Sequence, residues 1–166
     1  VANTAKILYK IYISFTLLEI VLLVIAGLPL FDACIHTFGS VGTGGFSSRN
    51  ASIGSYNNVL VEAIITIFTF MCGVNFSLYY QAIKRDFKAI FKDEEFRFYL
   101  GIVLVAILFI TVDLYGEAFR SIGESIRYST FQVVTIITTT GYSTADFDKW
   151  PLFSKMILYI FHTSCR

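Results

Sequence analysis

The sequence is poor in charge: 15% of its 166 residues are Asp, Glu, Lys or Arg, where soluble domains carry about 25%. Its formal net charge of +1 gives no bulk field that would attract nucleic acid. The three cysteines, Cys34, Cys72 and Cys165, lack the C-x-x-C or Cys/His spacing of a metal site, so we expect free thiols that fill apolar space. An initiator Met and a signal-peptide pattern are also missing, and we expect the chain to begin inside a larger protein.

Long apolar blocks fill much of what remains, because 55% of the residues are hydrophobic. A transmembrane helix needs about 20 mostly apolar residues. Three blocks meet this length, at residues 7–28, 59–83 and 96–115. A fourth, at 152–161, follows Pro151, which suits the first turn of a helix. The sequence therefore predicts an all-α transmembrane fold.

Two further apolar stretches, at about 31–38 and 126–137, are too short to span a bilayer. Each is followed at once by a strip rich in Gly and Thr. Irregular backbone is tolerated at membrane depth only where protein buries it or where it lines water. Short re-entrant helices with Gly/Thr strips between full spans therefore predict helix–pore-loop–helix repeats, as in potassium channels.

The distribution of Lys and Arg predicts the orientation. The loop between the second and third blocks holds five basic residues: Lys84, Arg85, Lys88, Lys92 and Arg97. The segments with the short helices hold four: Arg49, Arg120, Arg127 and Lys149. The positive-inside rule then predicts a cytoplasmic 84–97 loop and pore loops on the outer side. We expect a multi-pass membrane protein.

The order of elements repeats along the chain. Residues 1–95 form one predicted helix–pore–helix repeat with its cytoplasmic loop, and 96–166 form the next, with its second helix cut short. A shift of 97 residues places Thr43-Gly44 on Thr140-Gly141 and Ser47 on Thr144. Repeats of this kind bind ions at the interface between the repeats.

The two strips have the composition of a cation filter. A dehydrated potassium ion needs backbone carbonyl oxygens aimed at one axis, and Gly permits the alternating backbone that this requires. Thr hydroxyls add oxygen ligands, and no other cofactor is expected. The predicted potassium-binding residues are Val41, Gly42, Thr43, Gly44, Gly45, Thr138, Thr139, Thr140, Gly141 and Tyr142.

The strips have other possible interpretations. A single Gly/Thr run is usually a turn, and a phosphate-binding loop would need a Lys that does not follow Gly45. Two strips in repeated context favour a pore. The short helices would then direct the negative ends of their dipoles at the ion, with Ser40 and Thr138 marking where each helix passes into its strip.

Five polar residues in or near the spans leave alternatives open. Glu19 is either functional, or it forms an interhelical hydrogen bond or is protonated. Asn75 is expected to bond a neighbouring helix rather than the ion, and His36 to be packed and hydrogen-bonded rather than a pH sensor. Glu62 and Asp113, at predicted outer ends, either attract cations or are simply solvated, and solvation is favoured slightly.

Two runs of the sequence resemble pore loops of a known family. Residues 31–47, FDACIHTFGSVGTGGFS, resemble the second pore loop of the Trk/Ktr/HKT potassium transporters. Residues 131–151, FQVVTIITTTGYSTADFDKWP, resemble the third pore loop of the TrkH-type members. The GVNF run at 73–76 and the two Tyr residues at 79–80 are similar to the helix after the second loop.

The resemblance implies four helix–pore–helix repeats around one pore, so that this chain holds about the second and third. It implies homodimers, and a cytoplasmic ring of RCK-type subunits that bind nucleotides. A central Gly in each strip goes with potassium in this family, and Gly44 and Gly141 are the matching positions. In the family a Gly-rich gate would begin near residue 162, and the sequence departs from this pattern, because residues 162–166 read HTSCR without glycine.

The sequence thus predicts a potassium-translocating subunit of a Trk-type uptake system that works by permeation. No nucleophile or pair of catalytic carboxylates indicates an enzyme. The alternatives are a truncated chain that does not transport, and a membrane scaffold or enzyme whose Gly runs are packing loops.

Overall fold

The computed structural model describes residues 2–83, 91–116, 119 and 121–164. Two short 3-10 helices, Ser52–Tyr56 and Phe147–Lys149, lie in these ranges. The same ranges hold seven α-helices of eight residues or more: α1 (Ala2–Ile25), α2 (Leu30–Val41), α3 (Val59–Cys72), α4 (Phe76–Ile83), α5 (Glu94–Leu114), α6 (Ile122–Ile137) and α7 (Leu152–Ser164).

The helices repeat the order of one long helix, one short helix and a further helix. Lys6–Ile25 within α1 and Glu94–Leu114 are long and apolar enough to cross a membrane. Helix α2 has 12 residues and is about 18 Å long, which is short of a hydrocarbon core about 30 Å thick. The predicted all-α, helix–pore-loop–helix architecture is confirmed.

The predicted span at 59–83 is not continuous, and that expectation is wrong. Helix α3 ends at Cys72, and α4 begins at Phe76. A Cβ atom added at Gly73 would lie 2.6 Å from the Tyr99 hydroxyl and 2.7 Å from Cγ2 of Thr138. The chain at Gly73 is thus pressed between α5 and the second strip, where a larger residue does not fit.

Hydroxyl groups satisfy backbone carbonyls at the end of α3. The Tyr79 hydroxyl donates to the Met71 carbonyl at 2.5 Å, and the Tyr99 hydroxyl donates to the Phe70 carbonyl at 3.4 Å. An unsatisfied carbonyl away from water is costly, so these bonds stabilise the break.

Helix α1 ends at Ile25, close to the predicted end of the first apolar block at residue 28, and Gly27 and Pro29 lie in the turn to α2. Gly27 has φ +99°, a left-handed conformation that Gly adopts without steric cost, and Pro29 is the N-cap of α2. Several predictions lie outside the described residues: the structural settings of Lys84, Arg85, Lys88, Arg120 and Cys165.

Two hydrophobic cores hold the helices together. The first draws its members from both halves of the chain: Leu23, Leu28, Ala33, Ile53, Val61, Ile65, Phe131 and Tyr142. The second lies among α5, α6 and α7: Val103, Ala106, Ile110, Leu114, Val133, Val134, Trp150 and Leu158. Because Phe131 and Tyr142 enter the first core, the second short helix and its strip are fixed against the first repeat.

Large apolar side chains also cover the outer faces of the long helices. Examples on α1, α5 and α7 are more than half exposed: Leu17, Val21, Leu104, Val112, Met156 and Tyr159. Faces of this kind are covered by lipid or by further protein.

Candidate functional site

The two strips have the same alternation of backbone handedness. Thr43 and Gly45 have φ +49° and +63°, and Thr139 and Gly141 have φ +59° and +79°. Left-handed residues that alternate with right-handed or extended ones turn successive carbonyls to a common side. Matching positions in the two strips differ by 96 residues.

Backbone hydrogen bonds repeat with the same offset. Gly45 N donates to Gly39 O at 3.1 Å, and Gly141 N donates to Thr135 O at 3.0 Å. The predicted offset of 97 residues is therefore wrong by one. Gly45, rather than Gly44, is the counterpart of Gly141.

The one-residue error has a simple origin. The Thr-Gly pair occurs once in each strip, but one residue out of phase with the backbone. The correct offset pairs Ser47 with Ser143, rather than with Thr144, and also pairs the aromatic residues Phe46 and Tyr142.

Carbonyl oxygens are left free along both strips. Nearby hydrogen bonds use the carbonyls of residues up to Ser40 in the first repeat and up to Ile136 in the second. Among the described residues, no donor is found for the carbonyls of 41–45 or of 137–141. These are five consecutive oxygens in each strip, at matching positions, and a cation could bind them.

The two strips approach each other closely. A Cβ atom added at Gly45 would overlap the carbonyl oxygen of Thr140 and lie 3.0 Å from its carbonyl carbon. Gly141 lies in open space, with no atom within 4 Å of an added Cβ. The first central glycine is thus needed for packing and conformation, and the second for conformation alone.

The side chains of the strips take different roles. Val41 is buried as the last residue of α2, and Gly42 and Thr138 are the C-caps of the two short helices. The Thr138 hydroxyl donates to Val134 O at 2.8 Å and lies 2.9 Å from the Thr140 hydroxyl. The hydrogen bonds of those two hydroxyls therefore stabilise the conformation of the second strip.

Tyr142 joins the second strip to the first. Its ring is fully buried, and its hydroxyl lies 2.9 Å from His36 O and 3.0 Å from Phe46 O, so that one proton is shared by two carbonyls. Its own carbonyl accepts from Thr135 Oγ1 at 3.0 Å, unlike those of 137–141.

Replacing Tyr142 by Phe should lower the stability of the protein by about 1–3 kcal/mol, because the carbonyls of His36 and Phe46 lose the donor that they share. The measurement is thermal unfolding of the detergent-solubilised protein. Tyr159→Phe is the matched control, since Tyr159 is 69% exposed on α7. We call the link that the Tyr142 hydroxyl makes to the carbonyls of His36 and Phe46 the Tyr142 clamp. Equal effects of the two changes would contradict this clamp.

His36 is packed and hydrogen-bonded, as predicted. Its Nδ1 lies 2.6 Å from the Asp32 carbonyl, which can only accept, so Nδ1 carries the proton. Nε2 then accepts from the Ser47 hydroxyl at 3.1 Å. The imidazole ties the short helix to the chain that leaves the first strip.

The two acidic residues predicted at outer ends are not simply solvated. Glu62 is 3% exposed and accepts two hydrogen bonds from Arg127, at 2.6 and 2.7 Å. Asp113 accepts from the backbone N and the hydroxyl of Ser154, at 3.0 and 2.5 Å, and so caps α7. The Glu62 carboxylate is neutralised by Arg127, whereas Asp113 keeps its charge and is held by a neutral residue of another helix.

Asn75 and Glu19 both bond neighbouring helices. The Asn75 side-chain amide donates to Glu95 at 3.2 Å, near the start of α5, and Asn75 is exposed rather than deep in a span. Glu19 is fully buried and accepts from the Ser40 hydroxyl at 2.5 Å. Sequence reasoning singled out Glu19, but no local signal indicated Ser40 as its partner.

The loop after the second strip is solvated. Asp146 and Lys149 form an exposed ion pair at 3.0 Å. The hydrogen bond from Lys149 holds the pKa of Asp146 below its usual value. An exposed pair of this kind contributes little to stability.

Comparisons with known proteins identify relatives over nearly the whole chain. The sequence matches the family model TrkH, described as a cation transport protein, over residues 1–163. The Trk system potassium uptake protein TrkH of Salmonella typhimurium is 34% identical over 160 residues, which cover 95% of this chain and 33% of that protein. The Trk system potassium uptake protein TrkG of Escherichia coli is 33% identical, with 96% and 33% covered.

A solved structure agrees with these relatives. The crystal structure of the potassium transporter TrkH from Vibrio parahaemolyticus matches with a TM-score of 0.91 at 33% identity, over 96% of this chain and 35% of that one. The chain thus spans about a third of the length of the proteins it matches.

Proposed function

Because this chain belongs to the TrkH family of cation transport proteins, we propose that it takes part in potassium transport across a membrane, within a Trk-type uptake system. One observation carries the proposal. Carbonyl oxygens of 41–45 and 137–141 lack donors among the described residues, and they lie at matching positions on strips of matching backbone conformation.

The proposed ligands suit potassium. Rings of backbone carbonyls replace the hydration shell of this ion, and neither a carboxylate nor a transition metal is needed. The two short helices end at the strips, so the negative ends of their dipoles add to the attraction. Transport on this proposal is permeation through a filter and involves no covalent chemistry. The predicted residues 41–45 and 138–142 remain the proposed filter, with Tyr142 acting mainly as a clamp.

We propose that each repeat supplies one strip, residues 1–95 the first and 96–166 the second. The remaining repeats of the same polypeptide would add two more strips and close a four-sided filter. Exposed apolar faces on α1, α5 and α7 support further packing partners. The family resemblance adds a homodimer and a cytoplasmic RCK-type nucleotide-binding subunit to the proposal.

We place the protein in a bacterial inner membrane, with both pore loops outside and the 84–97 loop in the cytoplasm. Basic residues carry this proposal. Lys92 and Arg97 flank the start of α5, and the positive-inside rule assigns that end to the cytoplasm.

Replacing Gly141 by Ser in the intact transporter should lower the preference for Rb⁺, as a potassium analogue, over Na⁺ by about tenfold. A side chain at φ +79° costs about 1–2 kcal/mol, comparable with the 1.4 kcal/mol that corresponds to tenfold. The space around Gly141 is open, so the strip should change conformation without a clash. The measurement is the ratio of initial uptake rates of the two ions into proteoliposomes.

Gly101→Ser is the control, because Gly101 is exposed on α5 and an added Cβ there meets no atom within 4 Å. It should leave the ratio unchanged. An unchanged ratio in the Gly141→Ser variant would remove the filter proposal.

A further inference from the structure

The first repeat lacks three threonine hydroxyls that form hydrogen bonds around the second strip. With the offset of 96 residues, Thr135, Thr138 and Thr140 have glycine counterparts. These are Gly39, Gly42 and Gly44. In the second repeat the Thr135 and Thr138 hydroxyls donate to backbone carbonyls at 3.0 and 2.8 Å. None of the three glycines can form such a bond, so the first strip needs support from elsewhere.

A buried carboxylate provides support at this place. Glu19 lies on α1 and is fully buried, and its Oε1 accepts from the Ser40 hydroxyl at 2.5 Å. The Thr37 carbonyl, at 3.1 Å, is the weaker partner of the same hydroxyl. Glu19 Oε1 is the nearer of the two acceptors, so the hydroxyl proton is assigned to that bond.

Ser40 lies at the anchor of the first strip. Its carbonyl accepts from Thr43 N at 3.2 Å, and the adjacent Gly39 carbonyl accepts from Gly44 N at 2.8 Å and from Gly45 N at 3.1 Å. Three amides of the strip, those of Thr43, Gly44 and Gly45, therefore bond these two residues, and the Glu19 bond fixes one of the two to α1.

No such bond is found among the described residues of the second repeat. The counterpart of Ser40 on the second short helix is Ile136, which has no hydroxyl to donate. Among the described residues, the bond thus occurs in the repeat where glycines replace Thr135, Thr138 and Thr140. Burying a carboxylate costs free energy. Glu19 Oε2 adds to this cost, because it has no hydrogen-bond partner among the described residues.

We propose that Glu19 is a positioning residue for ion selection, which acts through Ser40 and holds the first strip in its ion-binding conformation. The inference rests on the proposed potassium filter. It identifies the contact that holds one strip of that filter in place. Glu19 does not touch the ion on this proposal. Its role is that of the missing Thr hydroxyls.

The test compares three variants of the intact transporter: Glu19→Leu, Glu19→Gln and Ser40→Ala. The readouts are the KM and kcat of Rb⁺ uptake and the Rb⁺/Na⁺ ratio of initial rates. Leu and Ala remove the hydrogen bond, so the ratio should fall and KM should rise by about tenfold, a change that corresponds to the loss of one good hydrogen bond. Gln keeps an acceptor for Ser40 and should stay within about twofold of the parent.

Two further variants complete the design. The Glu19→Leu/Ser40→Ala double variant should be no worse than the worse single variant, because both remove the same bond. Thr16→Ala removes a hydroxyl that bonds only within α1, to Tyr12 O at 2.9 Å, and should change nothing. A general packing role would instead lower the amount of folded protein and leave KM and the ion ratio unchanged.

The outcomes are distinct. Unchanged KM and ion ratio in Ser40→Ala, or equal damage by Gln and Leu at position 19, would overturn the role of Glu19. If Glu19→Leu does not fold, Ser40→Ala against Glu19→Gln decides. Gly141→Ser in the same assay separates the two proposals. If that variant changes the ion ratio but Ser40→Ala does not, only the role of Glu19 fails, and if Gly141→Ser changes nothing, both fail.

Discussion

Replacing Gly45 by Ala should reduce potassium uptake by about a hundredfold or more. Two costs add at this position. A residue with a Cβ atom is strained by about 1–2 kcal/mol at φ +63°, and the added atom would overlap the carbonyl oxygen of Thr140. Because that oxygen belongs to backbone, it cannot move aside without displacing the second strip. A combined cost of about 2.8 kcal/mol corresponds to a hundredfold.

The measurement is the initial rate of Rb⁺ uptake into proteoliposomes that hold equal amounts of folded transporter. Gly141→Ala gives the strain alone, since its surroundings are open, and should be the milder change. Gly101→Ala should be neutral or slightly stabilising, because Ala favours a helix interior. Full activity of Gly45→Ala would contradict the close approach of the two strips.

The architecture could be predicted from the sequence because its signals are local. Apolar blocks of about 20 residues predicted the long helices α1 and α5, and shorter blocks before Gly/Thr strips predicted α2 and α6. Length and composition are properties of one segment, and tertiary contacts do not alter them. The same holds for the turn at Gly27 and Pro29, where backbone chemistry alone ends a helix.

The break in the second span could not be predicted in this way. An apolar run such as 59–83 predicts one helix, and Gly73 inside it is tolerated at a cost of about 1 kcal/mol. At the break, Tyr99 and Thr138 from distant parts of the chain leave no room for a Cβ atom at Gly73. A constraint of that kind has no local signature.

The predicted register between the two strips was wrong for a related reason. Alignment of identical residues favoured the Thr-Gly pairs and an offset of 97 residues, whereas the handedness of the backbone gives an offset of 96 residues. Thr43 and Thr139 are left-handed although neither is Gly, which no propensity predicts. Hydrogen bonds from the strip to its helix impose that conformation.

Replacing Arg127 by Met should lower the free energy of unfolding by about 3 kcal/mol. The guanidinium donates from Nε and Nη2 to both carboxylate oxygens of Glu62, at 2.6 and 2.7 Å, and joins α6 to α3. Sequence reasoning counted Arg127 only as a charge, because its partner lies 65 positions away. Its removal leaves the Glu62 carboxylate buried and unpaired. The measurement is thermal or denaturant unfolding in detergent.

Arg49→Met is the matched control for this change. Arg49 pairs with Asp32 at 3.4 Å, but its side chain is 54% exposed, and Asp32 keeps the hydrogen bond from Ser48 at 2.7 Å. That variant should lose less than about 1 kcal/mol. The double variant Glu62→Leu/Arg127→Met should recover most of the loss, since no unpaired charge remains in it. If Arg127→Met costs no more than Arg49→Met, the buried pair does not hold the second short helix, and the apolar contacts of Phe131 and the Tyr142 clamp are what dock it against the first repeat.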